Sequence, residues 1–132
     1  MKRVFVSVLA ALVLAQPVAA QHGDEGADGD RALRRGLAYR HNGEPALAAH
    51  WLGVAARREV PEAMFLLANM LLEGEGVARD EAEARRWLEA AAQLEYAEAW
   101  QQLALMEPDP VKAAQLMRRA AHALKHRGAG ER

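Results

Sequence analysis

Cysteine, threonine and isoleucine are absent from the chain, and its one serine is Ser7. Without cysteine there is no disulfide framework and no thiolate to hold a metal, even in an oxidising compartment that would permit disulfides. Beyond residue 20 no Ser, Thr or Cys remains, so the usual hydroxyl and thiol nucleophiles of covalent catalysis are excluded there. Aromatics are scarce at 5%, and β-branched residues are limited to a few valines. Alanine is abundant instead. That balance disfavours strands and favours an all-α domain held together by packed helices alone.

The one long apolar run lies at the start. Lys2 and Arg3 precede Val4–Ala15, which only Ser7 interrupts, and Gln16-Pro17-Val18-Ala19-Ala20 closes the run with small residues. This is the layout of a secretory signal, with Val18 and Ala20 in the small-residue slots before a cut at Ala20/Gln21. The apolar stretch is too short for a bilayer, whose crossing takes roughly twenty residues. The expectation is a periplasmic or secreted protein. Removing Lys2 and Arg3, the only charged residues of the signal, takes the formal charge from −1 to −3. Such a near-neutral balance gives no case for nucleic-acid binding. Residues 1–20 are thus read as a signal, 21–29 as a disordered acidic segment, 30–127 as one helical domain and 128–132 as a disordered tail.

An internal repeat organises that domain. His50-Trp51-Leu52-Gly53-Val54-Ala55-Ala56 matches Arg86-Trp87-Leu88-Glu89-Ala90-Ala91-Ala92, and Gln115-Leu116-Met117-Arg118-Arg119-Ala120-Ala121 follows as a third copy. The spacings are 36 and then 29 residues, so the loops vary while the helices correspond. Each copy also has an earlier helix. In the middle copy it starts at Pro61, suited to a first turn, and carries Ala63, Leu67 and Leu71 on one face. Gly74 and Gly76 supply an exit that tolerates positive φ. Asp80 is placed to cap the next helix, with Glu83 completing a capping box. Ala84, Trp87, Leu88 and Ala91 form that helix's inward stripe, where Trp87 fills the space that the alanines leave. Gly36 and Tyr39 take the slots of Ala68 and Leu71 in the first copy. In the last, Glu107-Pro108-Asp109-Pro110 stops one helix before a final one from about Val111 to His126.

The run Ala63-x3-Leu67-Ala68-x2-Leu71-x2-Gly74-x-Gly76-Val77-x2-Asp80, then Ala84-x2-Trp87-x3-Ala91-Ala92, resembles a Sel-one-like repeat of the tetratricopeptide-like superfamily. The outer copies lack the Gly-x-Gly-Val loop, and Leu71 stands where the family favours tyrosine. The resemblance implies a short right-handed α-solenoid of about three antiparallel helix pairs. It also implies a non-catalytic scaffold, adaptor or regulator that binds another protein or a peptide, some members acting in bacterial envelopes. In such stacks the first helix of each pair lines the concave face. Carried across by the alignment, this puts Leu33, Leu37, Phe65, Asn69, Leu72, Gln101 and Leu105 along a groove suited to an extended or helical peptide. The competing reading is that Leu33, Leu37 and Leu105 close an under-sized core.

The competing class of function is an enzyme or metal-dependent hydrolase working through Glu and His, and each candidate has a plainer reading. Glu81, Glu83 and Glu89 alternate with Arg79, Arg85 and Arg86 as a solvated helix face would. His122 and His126 stand four apart, but two ligands fall short of the four that structural zinc takes. Asp24, Asp28 and Asp30 lack the twelfth-position glutamate of a calcium loop, which is Arg35 here. No Lys-Ser/Thr follows Gly74 and Gly76, as a phosphate loop requires. No cofactor and no metal is therefore expected. The last helix sets Lys112, Arg118, Arg119, Lys125 and Arg127 against Val111, Ala114, Met117, Ala121 and Leu124. Contact with a membrane fits such a helix. The preferred reading is a terminal cap whose outer face is polar.

Overall fold

A computed structural model describes residues 22–130, with side chains from Asp28 onward. The export segment and its cleavage point lie outside the described residues. Six helices follow one another with no strand among the described residues: α1 His22–His41, α2 Pro45–Arg57, α3 Pro61–Glu73, α4 Glu81–Gln93, α5 Ala97–Met106 and α6 Pro110–Ala129. Contacts are densest within the pairs α1·α2, α3·α4 and α5·α6, and the pairs meet through α2·α3 and α4·α5. The architecture is a short α-solenoid of three helix pairs, as the repeat implied.

Local chemistry places the helix ends. Pro45, Pro61 and Pro110 open α2, α3 and α6, where a missing N–H costs nothing. Asp80 accepts the Glu83 N–H at 3.0 Å, and Asp109 that of Val111 at 2.9 Å. The reciprocal half of the expected capping box does not form. The Asp80 N–H donates to the Leu71 carbonyl at 3.0 Å, which leaves the Glu83 carboxylate to accept the Trp87 indole N–H at 3.4 Å. Gly74 ends α3 in the left-handed region at φ 68°. Gly76, at φ 70°, lies so close to α2 that a Cβ there would collide with the Pro45 backbone and stand 2.7 Å from the Ala46 nitrogen. The two glycines thus divide the loop's work. One turns the chain, and the other lets the loop lie on the preceding pair.

The buried core is mostly alanine, and its largest fully buried side chains are Leu52, Met70 and Leu88. Alanine permits close helix approach, with leucine and methionine filling the remaining volume. Trp87 belongs to this layer only in part: it is half-buried beside Leu88 rather than filling the interior. Its indole N–H stays at the edge, where a polar partner can reach it.

The domain limits differ from the expectation at both ends. Helix α1 starts at His22, so the stretch expected to be disordered is helical, and α6 continues through Gly128 to Ala129. Asp28 pairs with Arg58 at 2.8 Å and with Arg31 at 3.2 Å. A Cβ on buried Gly29 would stand 2.8 Å from Val60, so α1 lies directly against the turn between α2 and α3. Composition alone could not reveal that contact.

Candidate interaction surface

The seven residues assigned to a groove lie on α1, α3 and α5. Leu33, Phe65, Asn69 and Leu72 are half-buried; Leu37 and Gln101 are exposed, and Leu105 is 73% exposed. Leu33, Phe65 and Leu72 pack against the buried core, so part of their apolar area serves the fold. Leu37 and Leu105 do not close the core.

Phe65 is the most elaborated of the seven. Its ring meets Tyr96, in the turn before α5, with centroids 5.6 Å apart and planes inclined at 51°. The Arg127 guanidinium stands over the far part of this cluster, 5.4 Å from the Tyr96 centroid. It also donates two hydrogen bonds of 2.9 Å to the Glu98 carboxylate. Burial pushes the Tyr96 phenol above its ordinary range, and Glu98 adds to the shift. The Arg127 hydrogen bonds hold the Glu98 carboxyl below its usual value. A continuous chain of contacts therefore runs from α3 through the turn to α5 and α6. The sequence drew no attention to Tyr96 or Glu98 and set Arg127 only among the basic residues of the last helix, because nothing in the local pattern joins residues 29 positions apart.

Elsewhere among the described residues there are clefts that the candidate groove does not use. One, of ≈ 410 Å³, runs between α2 and α4 over a floor of α3, where Leu67 and Leu71 lie below His50, Arg57, Arg79, Asp80 and Glu83. Its acids already have partners: Asp80 caps α4 and Glu83 accepts from Trp87. Another, of ≈ 360 Å³, is bounded by Glu95, Arg118, Arg119 and His122. None of the seven groove residues lines either cleft.

The remaining polar candidates have these surroundings. His122 and His126 bring their Nε2 atoms to 3.2 Å on the exposed side of α6. Among the described residues, no three or more His, Asp or Glu side chains converge as a metal site would need. Arg85, Arg86 and Glu89 lie on the outward side of α4, half-buried or exposed. No helix of the described residues is long and apolar enough to cross a membrane. The solvent side of α6 exposes Lys112, Arg118, His122 and Lys125, and Val111, Met117 and Leu124 are exposed beside them.

A stack of short helix pairs, small-residue packed and carrying half-exposed apolar side chains on its first helices, defines a helical-repeat protein. The family model for the Sel1 repeat matches residues 61–96 and 98–123. The crystal structure of a Sel1 repeat protein from Oxalobacter formigenes superposes with a TM-score of 0.67 at 26% sequence identity, over 72% of this chain and 43% of that one. Residues 61–123 thus carry Sel1-like repeats, which are generally protein-interaction modules. The chain spans less than half the length of the Oxalobacter protein. No curated protein matches the chain. The second matched segment extends the repeat through α5 and α6, in agreement with the alignment of Leu116 with Trp87.

Proposed function

We propose that the protein is a non-catalytic binding module of the bacterial envelope. It is exported by residues 1–20, cut after Ala20, and holds a peptide or protein segment against its first helices. The observation that carries this reading is the row of apolar area left in contact with solvent on α1, α3 and α5, centred on Phe65 and Tyr96. Aromatic side chains near the middle of such a surface provide large contact area at little entropic cost, and they tend to dominate binding energy. Asn69 stands one helical turn beyond Phe65, so a ligand resting on the ring meets an amide that can donate and accept.

The test is capture of a partner from an envelope extract by purified protein, followed by its identification and titration. Phe65→Ala with Asn69→Ala should weaken binding by about 2 kcal/mol, the scale of an interface hot spot, while helicity is kept. Arg85→Ala with Glu89→Ala, on α4, should bind normally. The reverse pattern would rule out the first-helix surface. Intact mass of the envelope form checks the export step: a chain beginning at Gln21 is expected, and retention of Met1 would indicate an anchor.

A further inference from the structure

The molecule shows once how it holds a guanidinium. Arg127 stands 5.4 Å from the Tyr96 ring centroid and donates two hydrogen bonds of 2.9 Å to Glu98, a carboxylate with an aromatic face beside it. The repeat sets the same acid in the helix pair before. Glu98 of α5 follows Glu62 of α3 by 36 residues, the interval that also separates Trp51 from Trp87. Glu62 is exposed, and none of the ion pairs among the described residues uses it.

Glu62 has the other half of the aromatic pair as its neighbour. Phe65 is three residues on, on the same side of α3, and its ring meets that of Tyr96 at 5.6 Å. Burial, then Glu98, then Glu62 raise the Tyr96 phenol above its ordinary range, so the Glu62 carboxylate is within reach of that ring as well. The helix dipole accounts for an acid in the first turn of α3 and of α5. It does not account for two half-buried rings set beside those acids. In the slot of Tyr96 the middle pair has Val60, so the aromatic pair is a feature of this one joint.

We infer that Glu62, Phe65 and Tyr96 form a seat for an arginine side chain of the segment held on the first helices. The inference rests on that surface being the binding face, and it specifies the chemistry of the ligand. A guanidinium lying on the Phe65 ring can direct two N–H donors at the Glu62 carboxylate, as Arg127 does at Glu98. Lysine is the poorer fit, because its ammonium keeps the charge but lacks the planar fork that stacks and bonds in pairs.

The charge around the seat selects the same ligand. Helices α3 and α5 carry Glu62, Glu73 and Glu98 and no Lys, Arg or His. Two cations come to this part of the stack from other elements, and both are engaged. Arg127 reaches Glu98 from α6, and Arg58, in the turn before α3, pairs with Asp28 at 2.8 Å. Helix α1 differs, since exposed Arg31, Arg34 and Arg35 accompany its Asp30. The basic residue of the ligand therefore belongs over the middle and last pairs, and the first pair repels it.

The test is selection of random short peptides on the immobilised full chain, followed by titration of the most enriched one as a synthetic peptide. Arginine should be enriched. Replacing it by citrulline, which keeps the shape and removes the charge, should weaken binding to the unaltered chain about tenfold. The same replacement should matter little to a Glu62→Gln chain, whose exposed side chain leaves circular dichroism unchanged. Phe65→Leu keeps the apolar volume and removes the ring, so it should weaken binding while the fold is retained. Raised salt should act as citrulline does. Peptides that need Phe65 but show no arginine excess would overturn the seat and leave the first-helix surface standing. Peptides indifferent to Phe65→Leu would sink that surface, and the seat with it. Arginine dependence lost in Glu98→Gln but kept in Glu62→Gln would also overturn the assignment, since the ligand would then displace Arg127. So would a dimer of the free chain that Glu62→Gln dissolves.

Discussion

Glu59 and Glu95 are the two non-glycine residues of the described chain with positive φ, at 60° and 59°. They lie 36 residues apart, at the same repeat position, and their turns bond identically. Val60 and Tyr96 donate to Ala55 and Ala91, while Glu59 and Glu95 donate to Ala56 and Ala92. This is a Schellman closure with glutamate where glycine is usual. A left-handed L-residue costs roughly 1–2 kcal/mol, partly offset by the entropy that glycine would lose. Glu95→Gly should therefore raise stability by about 0.5–1 kcal/mol, read from the urea midpoint at unchanged slope. Gly76 is the opposite case. Gly76→Ala meets both the positive φ and the backbone of α2, so a loss of about 2–4 kcal/mol is expected in the same measurement. An unchanged midpoint would mean that the loop can lift off α2. Pro61, Gly74 and Asp80 were legible because each acts through its own backbone. Glu59 and Glu95 were not, because no local signal marks a glutamate as left-handed; only the repeat of the turn reveals it.

Among the elements, α6 differs most from what its sequence conveys. The existence of six helices was readable, but the inward row of α6 was not: the sequence pattern set Val111, Ala114, Met117, Ala121 and Leu124 as its apolar side, whereas Leu116, Ala120 and Ala123 are the ones turned toward the stack. Nor were its 20-residue length, against 13 in α4, and its hold on α5 through Arg127. That hold gives the element a pH response. The Glu98 carboxyl sits below its ordinary value of 4.5 because Arg127 donates to it. A depressed carboxyl stabilises the folded form at all pH above its unfolded value, and the contribution is lost as pH falls through the folded one. Acid below about 4.5 should thus loosen the end of α6 while neutral and mildly acidic solutions leave it intact. Both side chains are partly exposed, so the effect is modest and weakens in salt. Glu98→Gln should lower stability at neutral pH and flatten this acid response. An unaltered response would assign it to other carboxylates.

For the whole molecule, the order of the pairs sets where it opens. A stack in which each pair touches only its neighbours has a stability close to a sum of pair and interface terms. The middle pair, α3 with α4, has two such interfaces, and the outer pairs have one each. Two of the three largest fully buried side chains, Met70 and Leu88, are in that middle pair, and the third, Leu52, lies against Gly36 of α1. The last pair has Leu116 and Met106 half-buried and Met117 exposed, so its apolar surface is the least used. Opening free energies in native proteins range from near zero at fraying elements to the global value in the core. Amide exchange of the intact chain should follow this gradient. The amides of α3 and α4 should exchange slowest, through global unfolding alone, and those of α6 fastest, by local release from α5. Uniform protection across all six helices would instead mean that the three pairs unfold as one unit. The end of the stack would then contribute to stability as much as its middle, and the half-exposed Met117 and Leu116 would be no sign of weakness.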